Sequence, residues 1–419
     1  MCAERGRRPR VTVVTSGHLS TCPRMLKAAD ALAAADYDVR VVATLHEPWA
    51  TDADAEVRSR RAWPVTVVDY RRHEGAATYW TTGLQQRAAR SAARAAGVDR
   101  VPFAVVARAF GRVHGALVRA VLAEPSDLIY GGTTGALAAI ADAGRRSGTP
   151  YGVDLEDFHS GETSGPDAPF VDALARRVER SVLRDAVFVT TSSEAIAAEY
   201  KRVHDVDAAV IHNTFPLPPR PPDFVRADPS LVRFYWFSQT IGPGRGLEQA
   251  VEAIGRAGTP SELTLVGRPH GSFLDDLRAR AGQQAPSLRI LHRPPAPPDA
   301  MIDLVRGHDI GLALDASPPR NREICLTNKA LTYILGGAAV LMADTEGQHD
   351  LGVDLGRGAR LENLHDGDAL AAAIARWAGD PAALDCAKRT AWHAACRRWH
   401  FDHEAERGVL YRLVSEALA

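Results

Sequence analysis

Five prolines in seven residues, Pro216-Leu217-Pro218-Pro219-Arg220-Pro221-Pro222, constrain this chain more than any other stretch. Proline lacks a backbone N–H and fixes φ, so such a run joins neither a helix nor the interior of a sheet. It stiffens the chain and separates what lies on either side. The same pattern starts on both sides: an apolar strand, a glycine-bearing turn and a helix. Before the prolines come the strand Val11 to Thr15, the turn Ser16-Gly17-His18, helical spacing from Arg24 to Ala35 and a strand at Val39 to Ala43. After them come a strand at Val232 to Ser238, the glycines of 242–246, a helix from Leu247 to Ala257 and a strand at Leu263 to Val266. Strands apolar along their whole length, alternating with helices, predict parallel sheets covered on both faces. A chain of 419 residues is too long for one ordinary core. The expectation is an α/β protein of two Rossmann-like domains facing across a cleft. The first spans 1–215, the linker 216–224 and the second 225–395; a terminal helix, 396–419, packs towards the first domain.

Composition narrows the function. Lys plus Arg number 50 and Asp plus Glu 51, so no bulk positive field points to nucleic acid. Cys2, Cys22, Cys325, Cys386 and Cys396 are odd in number and show no CxxC spacing, which argues against a disulfide framework or a zinc site. The polar, basic start and the lack of a long apolar run predict a cytoplasmic protein with no integral membrane segment. Heavy use of Ala and Arg resembles the coding bias of a GC-rich bacterium.

The clearest chemistry lies from Glu323 to Gly347. Thr327 suits a helix N-cap, which puts Asn328 and Lys329 in a first turn whose unpaired N–H groups and dipole favour an anion. Gly336 and Gly337 stop that helix, and Ala338 to Ala343 reads as a buried strand. Lysine is scarce, with only Lys27, Lys201, Lys329 and Lys388 in an arginine-rich chain. A compact ammonium at a helix mouth suits phosphate; a solvated surface lysine is the competing reading. Between Gly242, Gly244 and Gly246, Arg245 can bring a fork of donors to the same ligand. In the first half, Asp154, Glu156, Asp157 and His159 follow a strand directly, and acids there are costly to bury unless paired. They are expected to line a site, one of them serving as base or orienting an acceptor.

In order and spacing, these residues resemble a GT-B glycosyltransferase, most similar to the retaining family 4. The resemblance rests on Pro23-Arg24, His212-Asn213-Thr214, the glycines of 242–246 with Arg245, Leu265-Val266-Gly267, and Asn328-Lys329…Tyr333…Gly336. It implies a nucleoside diphosphate-sugar as co-substrate, transfer with retention, and neither metal nor other cofactor. It places Arg245 and Lys329 on the donor diphosphate, with Gly242, Gly244, Gly246, Gly267, Thr327 and Asn328 around the donor. Glu323 stands for the first of the family's two glutamates, near the transferred sugar. The second is displaced: eight residues on stands Leu331, and Thr332 occupies the place of the ribose-binding glutamate. Glu346 is an alternative ribose contact. In the first half, Glu156 takes the position of a family histidine. Gly17, His18, Asp154, Asp157 and His159 are the acceptor or sugar contacts, with His18 an alternative base for an inverting enzyme. Asp52-Ala53-Asp54 has the DxD spacing of metal-dependent glycosyltransferases but reads as a polar loop. The acceptor is expected to be soluble, a small molecule or a glycan. Three other readings stay open: a catalytically silent sugar-nucleotide binder, an epimerase or phosphorylase of the same fold, and a nicotinamide-dependent oxidoreductase suggested by Gly242-x-Gly244-x-Gly246.

Overall fold

The computed structural model describes residues 7–226, 228–315 and 318–419. The chain divides into two compact units. One holds the residues up to Ile211 together with Arg407–Ala419, and the other is His212–Glu406.

The first unit is built on a seven-stranded sheet. Its strands are β1 (Arg10–Thr15), β2 (Asp38–Leu45), β3 (Val65–Asp69), β4 (Leu128–Gly132), β5 (Tyr151–Leu155), β6 (Phe188–Thr191) and β7 (Ala209–Val210). Their order is β3-β2-β1-β4-β5-β6-β7, all pairs parallel. β1, β4 and β5 are almost wholly buried, as uninterrupted apolar runs require. The terminal helix Val409–Leu418 buries Leu410 and Val414 and hydrogen-bonds from the Tyr411 hydroxyl to the Ala31 carbonyl at 3.0 Å.

The second unit carries a six-stranded parallel sheet ordered β10-β9-β8-β11-β12-β13. The strands are β8 (Val232–Ile241), β9 (Ser261–Pro269), β10 (Leu288–Arg293), β11 (Ile310–Ala313), β12 (Ala339–Ala343) and β13 (Ala359–Glu362). One face packs Phe234, Trp236, Leu263 and Leu312 against Ile254, Ile374 and Trp377. The other packs Tyr235, Val340 and Met342 against Leu331, Ile334 and Trp399. In each sheet the strand order reverses once, between β1 and β4 and between β8 and β11. Ligands of open parallel sheets settle at the carboxyl ends of the strands at such a reversal.

Several local expectations are corrected. Arg87 to Leu122, Ala- and Arg-rich, reads from its sequence as one long helix-like stretch, but the structure makes it parts of three helices, Ala76–Ala96, Phe103–Phe110 and His114–Leu122. The break at Gly97, with φ 90°, and the prolines and glycines at Pro102 and Gly111 outweigh the helix-favouring Ala and Arg around them. Leu384 to Leu418 is also interrupted, between Arg397 and Glu404. Asp52-Ala53-Asp54 lies on the helix Ala50–Ser59, and the buried Asp54 carboxylate accepts from the Leu19 and Ser20 amides at 3.2 and 2.8 Å. Cys22, Cys325, Cys386 and Cys396 are free thiols, and Cys2 lies outside the described residues.

The proline run is fastened along the second unit. Arg306 donates to the Arg220 and Pro221 carbonyls at 2.9 and 3.2 Å. Just upstream, the Glu406 carboxylate accepts from the His212 amide at 2.6 Å and from its Nδ1 at 2.8 Å. Thr214 Oγ1 donates to the Trp399 carbonyl, and the Phe401 amide to the Phe215 carbonyl.

Candidate functional site

The helix Asn328–Gly336 brings the scarce lysine to the carboxyl end of β11. Thr327 caps the helix, its hydroxyl accepting from the Lys329 amide at 3.4 Å, and Gly337 ends it in the left-handed conformation. Its depth is set by Tyr333, whose hydroxyl donates to the Leu312 carbonyl at 3.0 Å. Gly311 makes that possible, because a Cβ there would stand 2.1 Å from the Tyr333 ring. The helix therefore lies close on β11, with Lys329 beside Asp315, two residues beyond the strand.

Lys329 Nζ sits 2.7 Å from Asp315 Oδ2, and each residue is only 7% exposed. The ammonium also lies 5.5 Å from the centre of the Trp236 ring, within reach of its quadrupole. Arg245 Nη1 reaches Asp315 Oδ1 at 3.5 Å, and Arg322 donates to the Gly244 carbonyl at 3.1 Å. Burial alone would raise the Asp315 pKa. The charges of Lys329, Arg245 and Arg322 outweigh it and hold the carboxylate below its usual range. Gly246 has φ 74°, and a Cβ there would meet Leu314 at 2.5 Å, so only glycine lets this loop press against the end of β11. The helix Leu247–Ala257 starts at that glycine without a side-chain cap, leaving its first amides to other partners. Three cations and two helix N-termini thus converge at the reversal between β8 and β11, an arrangement suited to a diphosphate.

The other donor-site expectations fall around this centre in different ways. Gly242 and Gly244 lie in the same loop, Gly267 near the end of β9 and Asn328 at the first helical position. Glu323 is half-buried on the short helix Arg320–Ile324. Thr332 is fully buried and donates to the Asn328 carbonyl at 2.7 Å, so its hydroxyl faces its own helix. Glu346 opens the helix Glu346–Leu355 and pairs with Arg320 at 2.8 Å.

In the first unit, Ser16, Gly17 and His18 follow β1 and Thr133 follows β4, at the other reversal. Thr133 takes φ 75°, a conformation a β-branched residue avoids, and receives the Ser16 amide on its hydroxyl at 2.9 Å. His18 is buried, its ring stacked on His46 at 4.0 Å between centroids, with Trp49 edge-on at 5.4 Å and Tyr70 stacked on His46 at 5.1 Å. His159 is buried with Nδ1 3.1 Å from Glu162. Burial would depress its pKa, but Glu162, Glu179 and Asp157 prevail and raise it to about 9. Glu156 and Asp157 are half-buried.

Asp154 requires correction as an acceptor contact. It is fully buried and accepts from Arg24 Nε at 2.7 Å, Tyr130 at 3.0 Å and Thr190 at 2.6 Å. With its oxygens satisfied inside the sheet layer, it holds Arg24 in place. Sequence reasoning missed Asp315, Arg322, Glu162 and Glu179. Asp315 carried a readable signal, an acid just beyond a short buried strand, the same one that singled out Asp154 to Asp157.

Comparison with known proteins gives this geometry its setting. A glycosyl transferase 4-like domain matches residues 22–214. The chain is similar to HepE of Anabaena, solved with UDP and glucose: TM-score 0.66 at 16% identity, covering 98% of this chain and 99% of that one. It is similar to a TarM mutant from S. aureus, solved with fondaparinux, alpha-GlcNAc-glycerol and UDP: TM-score 0.68 at 7% identity, over 98% and 99% of the two chains. UGT89C1 of Arabidopsis thaliana matches with TM-score 0.58 at 14% identity, over 99% and 100%. No protein of curated function matches the sequence. The likeness over nearly the whole chain defines the fold, GT-B, and residues 22–214 match a glycosyl transferase 4-like domain.

Proposed function

We propose that the protein transfers a sugar from UDP-sugar to an acceptor hydroxyl, with retention of configuration and without a metal. The observation that carries the reading is Lys329, buried at a capped helix start with Arg245 and Arg322 beside it. Breaking the anomeric bond leaves negative charge on the diphosphate, and these groups are placed to stabilise it. Fixed cations can do this work in place of a divalent ion, which is why we infer a metal-independent reaction. Retention follows from the family likeness, and a diphosphate oxygen can take the acceptor proton. The uracil base is inferred from the UDP complexes of HepE and TarM.

The acceptor is proposed to be a polar small molecule or a glycan. Trp49, exposed beside the largely buried stack of His18, His46 and Tyr70, offers an aromatic surface of the kind that packs on sugar rings. A second reading, a silent sugar-nucleotide binder, is favoured by Thr332, which cannot replace a glutamate as ribose acceptor.

Melting measured with UDP, GDP, ADP, dTDP and NAD tests the donor reading. A ligand at about 100 times its dissociation constant should add roughly 2.7 kcal/mol. A shift with UDP alone supports it, and a shift with NAD alone overturns it. Turnover of UDP-sugar with an acceptor separates the enzyme from the silent binder.

A further inference from the structure

The pocket that attracts an anion already contains one. Asp315 lies among Lys329, Arg245 and Arg322, three cations carried on different segments, and bonds to Lys329 at 2.7 Å. A carboxylate and a diphosphate compete for the same donors. Asp315, two residues beyond β11, is part of the chain, whereas a nucleotide comes and goes. A buried ammonium without a partner is costly, and so is the removal of a diphosphate from uncompensated cations.

We propose that Asp315 is the resident counter-anion of the diphosphate site. It exchanges with the nucleotide for Lys329 and Arg245, and so sets how readily the product diphosphate leaves. This rests on reading the pocket as the donor site. No bond forms or breaks in the exchange, and Asp315 acts through the two cations as a positioning residue. Product release limits many enzymes, and a carboxylate that takes back the lysine as the diphosphate departs lowers the barrier to release. The same competition keeps the free protein stable, because Lys329 always has a counter-charge.

UDP affinity, UDP inhibition, turnover and melting would be measured for the wild-type chain, Asp315→Asn and Asp315→Glu. The expected result for Asp315→Asn is a lower melting temperature without ligand and UDP binding tighter by about tenfold, as for one charge-assisted hydrogen bond no longer contested. Its kcat should fall with KM, since product is retained, and Asp315→Glu should restore both. An aspartate that only braces the loop would lower melting and weaken UDP binding; that result, or unchanged UDP affinity, overturns the proposal. If Asp315→Asn does not fold, Lys329→Met is compared with Lys329→Met/Asp315→Asn, in which no ammonium is left unpaired. UDP should still tighten, by about threefold, because the carboxylate no longer contests Arg245; no change or a weakening overturns the proposal. If UDP and the other nucleoside diphosphates fail to bind the wild-type chain, the donor-site reading itself has failed; wild-type binding with unchanged affinity in the variants defeats only the role given to Asp315.

Discussion

The two ends of β11 carry the same chemistry with different consequences. At the amino end, Asp309 pairs with Lys388 at 3.0 Å and Arg226 at 3.3 Å, and accepts the Arg233 amide at 2.9 Å. At the carboxyl end, Asp315 pairs with Lys329 and Arg245. All four charged groups of the two lysine–aspartate pairs are buried. The difference lies in what surrounds them. Asp309 and Lys388 are locked between the strand and the helix Pro381–Arg397. Asp315 and Lys329 stand among half-exposed arginines, a glycine-bearing loop and the open start of a helix. A buried ion pair by itself is weak evidence of function. Its place at the carboxyl edge of a parallel sheet, beside donors with capacity to spare, makes the second pair the candidate site.

The comparison breaks most easily at Asp309. Asp309→Ala leaves Lys388 buried without a partner and should cost about 3–5 kcal/mol of stability. Turnover per folded molecule should stay near wild type, as urea unfolding and active-fraction assays would show. A large loss of kcat in folded protein would erase the contrast. Lys329→Ala should do the reverse, raising the barrier by about 2–4 kcal/mol if the ammonium acts like one oxyanion-stabilising donor. Steady-state kinetics with unchanged kcat would remove Lys329 from the chemistry.

A charged pair in the first unit sharpens the contrast through pH. The His159 pKa is raised in the fold, so its pairing stabilises fully below the unfolded value near 6.5, and that contribution is lost as pH rises through about 9. Melting of the wild type should therefore fall across this window more steeply than that of Glu162→Gln, whose histidine has lost its main partner. Parallel melting curves would show that the Glu162 contact does not hold the proton. The smallest effect is expected at the exposed pair Arg320–Glu346, where Glu346→Gln should change stability by less than about 1 kcal/mol. Equal UDP affinity in that variant would remove Glu346 as a ribose contact, and a clear loss would reinstate it.

Much of the fold was legible because its signals are local. Val11 to Thr15 and Leu263 to Val266 announce buried strands by composition alone, and Thr327 announces the helix that carries Lys329. β13, Ala359–Glu362, was not legible, since half its residues are polar and it sits at a sheet edge. The helices between Ala76 and Leu122 were merged because Ala and Arg favour helix everywhere except at the few positions that break it. The site was half legible for the same reason. Lys329 is identified by its own cap. Asp315 takes its meaning from a partner 14 residues away, on the far side of the short helix Arg320–Ile324. Asp154 was misjudged because its partner Arg24 lies 130 residues upstream.

The Glu406 carboxylate binds His212 through both the backbone amide and the ring, at the two points where the chain passes from one unit to the other. Topologically, the second unit is a cassette set into the first, entered and left through a single doorway whose posts are hydrogen-bonded together. A fragment running from 212 to 406 begins and ends where it is already closed, so it can be expressed, permuted or exchanged as one module without cutting through its core.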